Sequence, residues 1–175
     1  MAKFNVIYAS ESGNTKQIAQ EIFDAICFDD KELVNIRSFD GRIDGDVFFV
    51  GYWVNHSTCA IEIMDLLSSL HGKHIALFAT CGLGDSEHYY KKLEKNVAAF
   101  IPEDNNYLGA FYCLGKMPRE IRRRYEEARG AYEDDVLDQL LESFDEALMH
   151  PDKQDLLKAH LFVDEVFEKM GIKGR

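Results

Sequence analysis

Apolar runs alternate with helical spacings along most of this chain. Phe4 to Ala9 is a short run rich in branched and aromatic residues, the composition of a buried strand. Ile18, Ala19, Ile22, Phe23 and Ile26 then recur three and four positions apart and predict a helix. Glu32 to Arg37 reads as a half-exposed strand, and Asp40-Gly41 as a turn. Asp46 to Tyr52 is strongly apolar and predicts a central strand. Thr58 to Leu70 reads as a helix whose apolar face is Ile61, Met64, Leu67 and Leu70, ended at His71-Gly72-Lys73. His74 to Thr80 is another buried strand, Ser86 to Phe100 a helix stopped near Pro102, and Leu108 to Leu114 a fifth strand. Strands that alternate with helices in this way predict a parallel sheet with helices on both faces, an α/β fold. Ligands of such sheets bind at the carboxyl ends of the strands, where strand order reverses.

Three further helices are expected. Arg119 to Arg129 is charged and carries Arg119, Arg122, Arg123 and Arg124. Glu133 to Met149 is acidic, with Val136, Leu137, Leu140, Leu141, Phe144 and Leu148 at helical spacing. After His150-Pro151, Asp152 is placed to cap a last helix, with Asp155 in its first turn and Leu157, Leu161, Val163, Val166, Phe167 and Met170 as its apolar face.

Between the first strand and first helix lies Ser10-Glu11-Ser12-Gly13-Asn14-Thr15. Such a turn aims backbone N–H groups and hydroxyls at a helix N-terminus, where the dipole favours an anion. Gly13 allows a close curl, and Ser10, Ser12 and Thr15 offer hydroxyls. The turn has neither the lysine of a GxxxxGK[ST] loop nor a GxGxxG fingerprint, so a terminal monophosphate suits it better than a nucleoside triphosphate. The competing reading is that Ser12 caps the helix and binds nothing.

ASESGNT after an apolar strand resembles the phosphate loop of the flavodoxin family, roughly [ST]-x-[ST]-G-N-T, through Ser10, Ser12, Gly13, Asn14 and Thr15. Glu11 falls on the variable position, where its charge requires an outward side chain. A second stretch, ALFATCGLGDSEHYY, resembles the family's later G-D-[SQ] turn through Gly84, Asp85, Ser86 and Tyr89. The match covers about residues 3 to 115. It implies a flavodoxin-like doubly wound, five-stranded sheet of order 2-1-3-4-5 and bound flavin mononucleotide (FMN). The loops 10–15, 52–59 and 80–88 should then converge. Their expected cofactor contacts are Ser10, Glu11, Ser12, Gly13, Asn14, Thr15, Tyr52, Trp53, Val54, Asn55, Thr80, Cys81, Gly82, Gly84, Asp85 and Tyr89. In this reading the flat ring lies between Trp53, the only tryptophan, and Tyr89 or Tyr90. The alternative for Trp53 is a cap on the core edge.

The chain departs from the family in two places. Many flavodoxins carry a glycine after the loop tryptophan, and its peptide turns over when the flavin gains one electron; here Val54 follows Trp53, and valine disfavours positive φ. One-electron shuttling should be less favoured than two-electron work. Residues 119–149 form a helical insertion before the last helix, within one flavodoxin-like domain spanning 1–175. It serves either as a lid over the flavin or as an added layer. Its arginines suit an acidic partner or a nicotinamide-cofactor phosphate, but a solvated face paired with nearby glutamates is the preferred reading.

Composition narrows the function classes. The net charge of −11 argues against nucleic acid and suits basic faces on a protein partner. No apolar run approaches a membrane span, and the N-terminus lacks a signal-peptide layout. Cys27, Cys59, Cys81 and Cys113 are widely spaced, which implies reduced thiols and a cytoplasmic protein. There is no HExxH or GxSxG motif, and strand one ends without the acidic cluster of a phosphate-receiving regulator. His56 and His88 fall in the presumed flavin loops, where they could tune the ring or donate a proton. The leading expectation is an FMN-binding electron-transfer protein or reductase component serving a partner oxidoreductase. The alternatives are a free-standing NAD(P)H-dependent FMN or quinone reductase, and a binding module that has lost its flavin.

Overall fold

The first strand shows how the chain sorts its side chains. In β1 (Phe4–Tyr8) every residue is buried, and successive residues face opposite sides of the sheet. Phe4, Val6 and Tyr8 enter one core and Ile7 the other. The computed structural model of the chain describes residues 2–38, 43–84 and 86–172. The expected turn at Asp40-Gly41 lies outside the described residues.

After β1 come α1 (Asn14–Ala25), β2 (Lys31–Asn35), a short 3₁₀ turn (Ile36–Ser38), β3 (Val47–Trp53) and α2 (Ile61–Ser69). Then follow β4 (His74–Cys81), α3 (Glu87–Ala98), β5 (Asn106–Leu114), α4 (Arg119–Glu127), α5 (Asp134–Ala147) and α6 (Lys153–Lys169). The five strands are parallel in the order β2-β1-β3-β4-β5, as the resemblance implied. Strand order reverses between β1 and β3, so the loops after them part to opposite faces and leave a crevice at the carboxyl edge.

Ile18, Ala19 and Ile22 of α1 and Ala159, Phe162, Val163, Val166 and Phe167 of α6 cover one face of the sheet. Ile63, Leu66 and Leu67 of α2 and Val97 of α3 cover the other. Two expected helix faces are rotated. In α2 the buried residues are Ile63, Leu66 and Leu67, and Ile61 is 70% exposed. In α6 the Phe162–Phe167 stripe takes the core, while Leu157 and Leu161 remain 58% and 51% exposed. Both sequences offer an apolar arc wider than the stripe a helix buries on a sheet; in α6 the β-branched and aromatic arc takes the core, and in α2 the leucine-rich one does.

The end of α5 is joined back to β5: Lys116 N–H donates to the His150 carbonyl at 3.0 Å. Asp152 caps α6 as expected, accepting from Gln154 N–H and Asp155 N–H at 2.8 and 2.9 Å, and Asp155 returns a bond to Asp152 N–H. No helix is long and apolar enough to cross a membrane, among the described residues.

Candidate functional site

A cleft of about 260 Å³ opens at the carboxyl edge of the sheet. Glu11 and Ser12 line it from the first loop with Asn14 at the start of α1, Trp53 at the end of β3 with Val54 and Asn55 just beyond, and Thr80 and Cys81 at the end of β4 with Gly82 just beyond. Gly115, Lys116, Pro118 and Ile121 form a further wall that runs from the end of β5 into α4.

The first loop is shaped by Gly13, whose φ of +90° only glycine adopts freely. Its N–H donates to Ser10 Oγ at 3.2 Å. Among the described residues no side chain caps α1: Ser12 Oγ instead accepts from Asn14 Nδ2 at 2.9 Å. The helix-cap reading of Ser12 therefore fails, and the first-turn amides of α1 are left to an anion or water. Asn14 Nδ2 also donates to the Lys116 carbonyl at 2.9 Å, which ties this loop to the end of β5. The approach is so close that a Cβ on Gly115 would lie 2.8 to 3.0 Å from Asn14 side-chain atoms. Thr15 is buried under the cleft, its hydroxyl 2.9 Å from that of Thr80.

The second loop is held at several points. Val54 N–H donates to the Thr80 carbonyl at 2.9 Å. Asn55 and Thr58 exchange backbone bonds of 2.9 and 3.0 Å around His56 (φ 49°) and Ser57 (φ 63°). Two positive φ angles make this a type I′ shape, built here without the usual Asn or Gly. Asn96 Nδ2 of α3 donates to the Ser57 carbonyl at 2.9 Å and braces it.

Trp53 stands at the cleft wall with the Arg37 guanidinium 4.7 Å from its ring centre. Arg37 Nε donates to Glu62 Oε1 at 2.6 Å, and Nη1 to Glu11 Oε1 at 3.3 Å. Glu11 is exposed and turned toward this cation, which answers the problem of its charge beside an anion site. The hydrogen bond to Glu62 is the main cause holding the Arg37 pKa above its ordinary value, and the same bond holds Glu62 below its own.

In the third loop Cys81 Sγ donates to the Cys113 carbonyl at 3.5 Å, and the Met117 thioether fills the space over Gly82. Gly84 takes φ +80°, with the half-buried Tyr89 ring against it. Tyr89 and Gly84 do not line the cleft, Gly84 bordering a separate small cavity with Leu114, Ser143 and Glu146, and Asp85 lies outside the described residues. Tyr90 stacks on Tyr112 at 5.3 Å and 13°.

The Tyr52 side chain goes to the core. Its side chain is fully buried on the α2/α3 face, its hydroxyl 2.6 Å from that of Tyr112, so its ring does not line the cleft. Tyr52 follows Phe48 and Val50 of β3 into that core at a spacing of two, while Trp53, at the strand end, lies half-buried against the same core and reaches the cleft. Burial raises the Tyr52 pKa well above the ordinary phenol value.

The residues that sequence reasoning missed come from the ends of β2 and β5. Arg37 was assigned to a strand, yet β2 stops at Asn35. Because β2 neighbours β1, any side chain just past its end lies near the first loop. Two of the four clustered arginines follow the solvated-face reading: Arg122 pairs with Glu126 and Asp145, and Arg123 with Glu127; Arg129, beyond the cluster, pairs with Asp138.

Comparison with known proteins places this architecture. The chain is 33% identical over 172 residues to the flavodoxin-like domain-containing protein BilS of Clostridioides difficile (strain CD3), covering 95% of this chain and 97% of that protein. It is 27% identical over 174 residues to the BilS protein of Clostridium symbiosum (strain WAL-14163), covering 88% and 90%. The flavodoxin of Streptococcus pneumoniae TIGR4 shares the fold, with a TM-score of 0.58 at 15% identity over 96% of this chain and 99% of that one. A family model described as the Flavodoxin domain matches residues 5–164, and the chain accordingly belongs to the flavodoxin family.

Proposed function

We propose that the chain binds FMN in the cleft and serves as an electron-transfer protein or reductase component that passes electrons to a partner oxidoreductase. The observation that carries this reading is the uncapped, Gly13-shaped start of α1 beside an aromatic wall at Trp53. An anion site and a stacking surface a few residues apart suit a molecule with a phosphate at one end and a flat ring at the other. The donor set fits FMN. The first-turn amides of α1, Ser10, Ser12 and Asn14 would hold the phosphate. Trp53, with Tyr89 near the third loop, would flank the ring, and the backbone of 80–84 would meet its polar edge. Bound FMN would supply the redox chemistry. The residues of the chain bind the group, orient it and exclude water from it.

The second loop bears on how many electrons move together. The peptide between Val54 and Asn55 cannot turn over without breaking the Asn55 N–H bond to Thr58. Valine resists the positive φ such a turn would require. Both features support paired rather than single electron transfer. In the wall of Gly115, Lys116, Pro118 and Ile121, Ile121 alone belongs to the 119–149 insertion, and it supports a role for the insertion's first turn at one side of the cofactor cleft.

The test is an anaerobic reductive titration of the purified protein followed by visible spectroscopy. Flavin bands that bleach directly, without a long-wavelength absorbing species, are expected. Failure to bind added FMN would overturn the cofactor reading, and a strong, persistent long-wavelength band would overturn the two-electron reading.

A further inference from the structure

Arg37 stands outside the cleft but touches three elements that build it. Its guanidinium covers the Trp53 indole at 4.7 Å, a cation–π distance. Its Nε donates to Glu62 in the first turn of α2 at 2.6 Å, and its Nη1 to Glu11 in the first loop at 3.3 Å. Among the described residues the cleft wall includes Trp53 and not Arg37, so the cation backs the indole from outside the cavity. The two acceptors fix the plane of the guanidinium, because a planar fork bound at separate nitrogens has little rotational freedom left. A fixed plane against one indole face limits the χ2 freedom of Trp53. The other indole face is then presented to the cleft in one orientation before any ligand arrives.

We propose that Arg37 is a positioning residue that pre-sets Trp53 as a rigid stacking wall for the flat ring of the cofactor. The proposal rests on the flavin-binding reading above. It assigns to Arg37 an effect on ring binding, beyond neutralising Glu11. Without the clamp, a flavin must immobilise the indole as it binds, and ordering one such side chain weakens affinity about five- to tenfold. The effect falls on the ring. Riboflavin, which has the ring and no phosphate, should therefore feel it as FMN does.

The experiment compares wild-type protein with Arg37→Met, which keeps a long unbranched side chain without the charge, and with Glu62→Gln, which loosens the guanidinium but leaves Arg37 in place. Each is freed of flavin and titrated with riboflavin and with FMN. Trp53 is the sole tryptophan, so acrylamide quenching of its emission reports on the wall directly in the flavin-free protein. Arg37→Met should weaken riboflavin binding about five- to tenfold, weaken FMN binding at least as much, and make Trp53 more accessible to acrylamide. Glu62→Gln should shift all three readouts the same way by a smaller factor. Riboflavin affinity within twofold of wild type in both variants, with any FMN loss reversed by adding Glu11→Gln, would reduce Arg37 to a counter-charge and overturn the proposal. If wild-type protein binds neither flavin, the flavin-binding reading fails and this proposal with it. If wild-type protein binds both and the variants match it, only the role of Arg37 falls.

Discussion

The hydroxyls of Thr15 and Thr80 lie 2.9 Å apart in the buried floor of the cleft, joining the first turn of α1 to the end of β4. The residues are 65 positions apart in the chain, and this bond links the start of α1 directly to the end of β4. Thr15→Val keeps the shape and leaves the Thr80 hydroxyl buried without its partner. A loss of about 1–3 kcal/mol in unfolding free energy is expected from urea titration of the flavin-free protein. Thr15→Val with Thr80→Val removes both polar groups and should recover most of that loss. A double variant less stable than Thr15→Val would rule out a simple shared bond.

Gly115→Ala tests the contact across the first loop. The added methyl would press on Asn14, whose amide is held by Ser12 Oγ and the Lys116 carbonyl and has no room to withdraw. A destabilisation of about 1–3 kcal/mol is expected from this overpacking, together with weaker FMN binding. Calorimetry of the flavin-free and FMN-loaded protein measures both.

Lys116 lines the cleft beside Ser12 and Asn14, with its backbone fixed at both ends, N–H to His150 and carbonyl to Asn14. The prediction is that its ammonium pairs with the phosphate of FMN proposed to sit at the start of α1. Lys116→Met should weaken FMN binding about tenfold at low salt, the effect of a charge-assisted contact of roughly 1.5 kcal/mol, and leave riboflavin binding unchanged. The FMN difference should shrink as salt rises. Equal losses for both flavins would place Lys116 against the ring rather than the phosphate.

Val54→Gly frees the residue after Trp53 for positive φ. Reductive titration of this variant should show more long-wavelength absorbance at half reduction than wild type. An unchanged titration would point to the Asn55–Thr58 bonds as the stronger restraint on that peptide.

Alkaline pH should destabilise the α2/α3 face of the core. Burial pushes the Cys59 thiol from its ordinary value of 9.0 up to about 11, and raises the phenols of Tyr52, Tyr107 and Tyr112 above theirs. These groups stay neutral when folded and ionise sooner when unfolded. Their contribution is thus fully present below the unfolded values and is lost as pH rises through the folded ones. The urea midpoint should fall between pH 9 and 11, where Cys59 titrates, and Cys59→Ala should lessen the slope in that window. A flat stability profile up to pH 11 would contradict the buried state of these groups.

Much of this site could be read from the chain because its chemistry is local. Gly13 and its neighbours form the start of a helix and the end of a strand within six residues, and the apolar period places that junction at a sheet edge. The sense of the strands and their order followed from the alternation together with the resemblance to flavodoxins. Trp53 was identified as a loop aromatic beside an anion site, and the structure puts it on the cleft wall. The Tyr52 side chain, one residue earlier, goes to the core, because the point where β3 leaves the sheet decides which face each side chain takes.

Backbone periodicity and turn chemistry act over a few residues, so the sequence by itself determined the strands, the helices, the glycine-shaped start of α1 and the general place of the cleft. Tertiary structure decided what depends on distant segments meeting. The rotation of α2 and α6 is set by which arc packs best on the sheet, and no local pattern ranks two apolar arcs of similar quality. The clamp of Arg37 on Trp53, the wall built by Lys116 and Ile121, and the Thr15–Thr80 bond each join positions that become neighbours only when the sheet has formed.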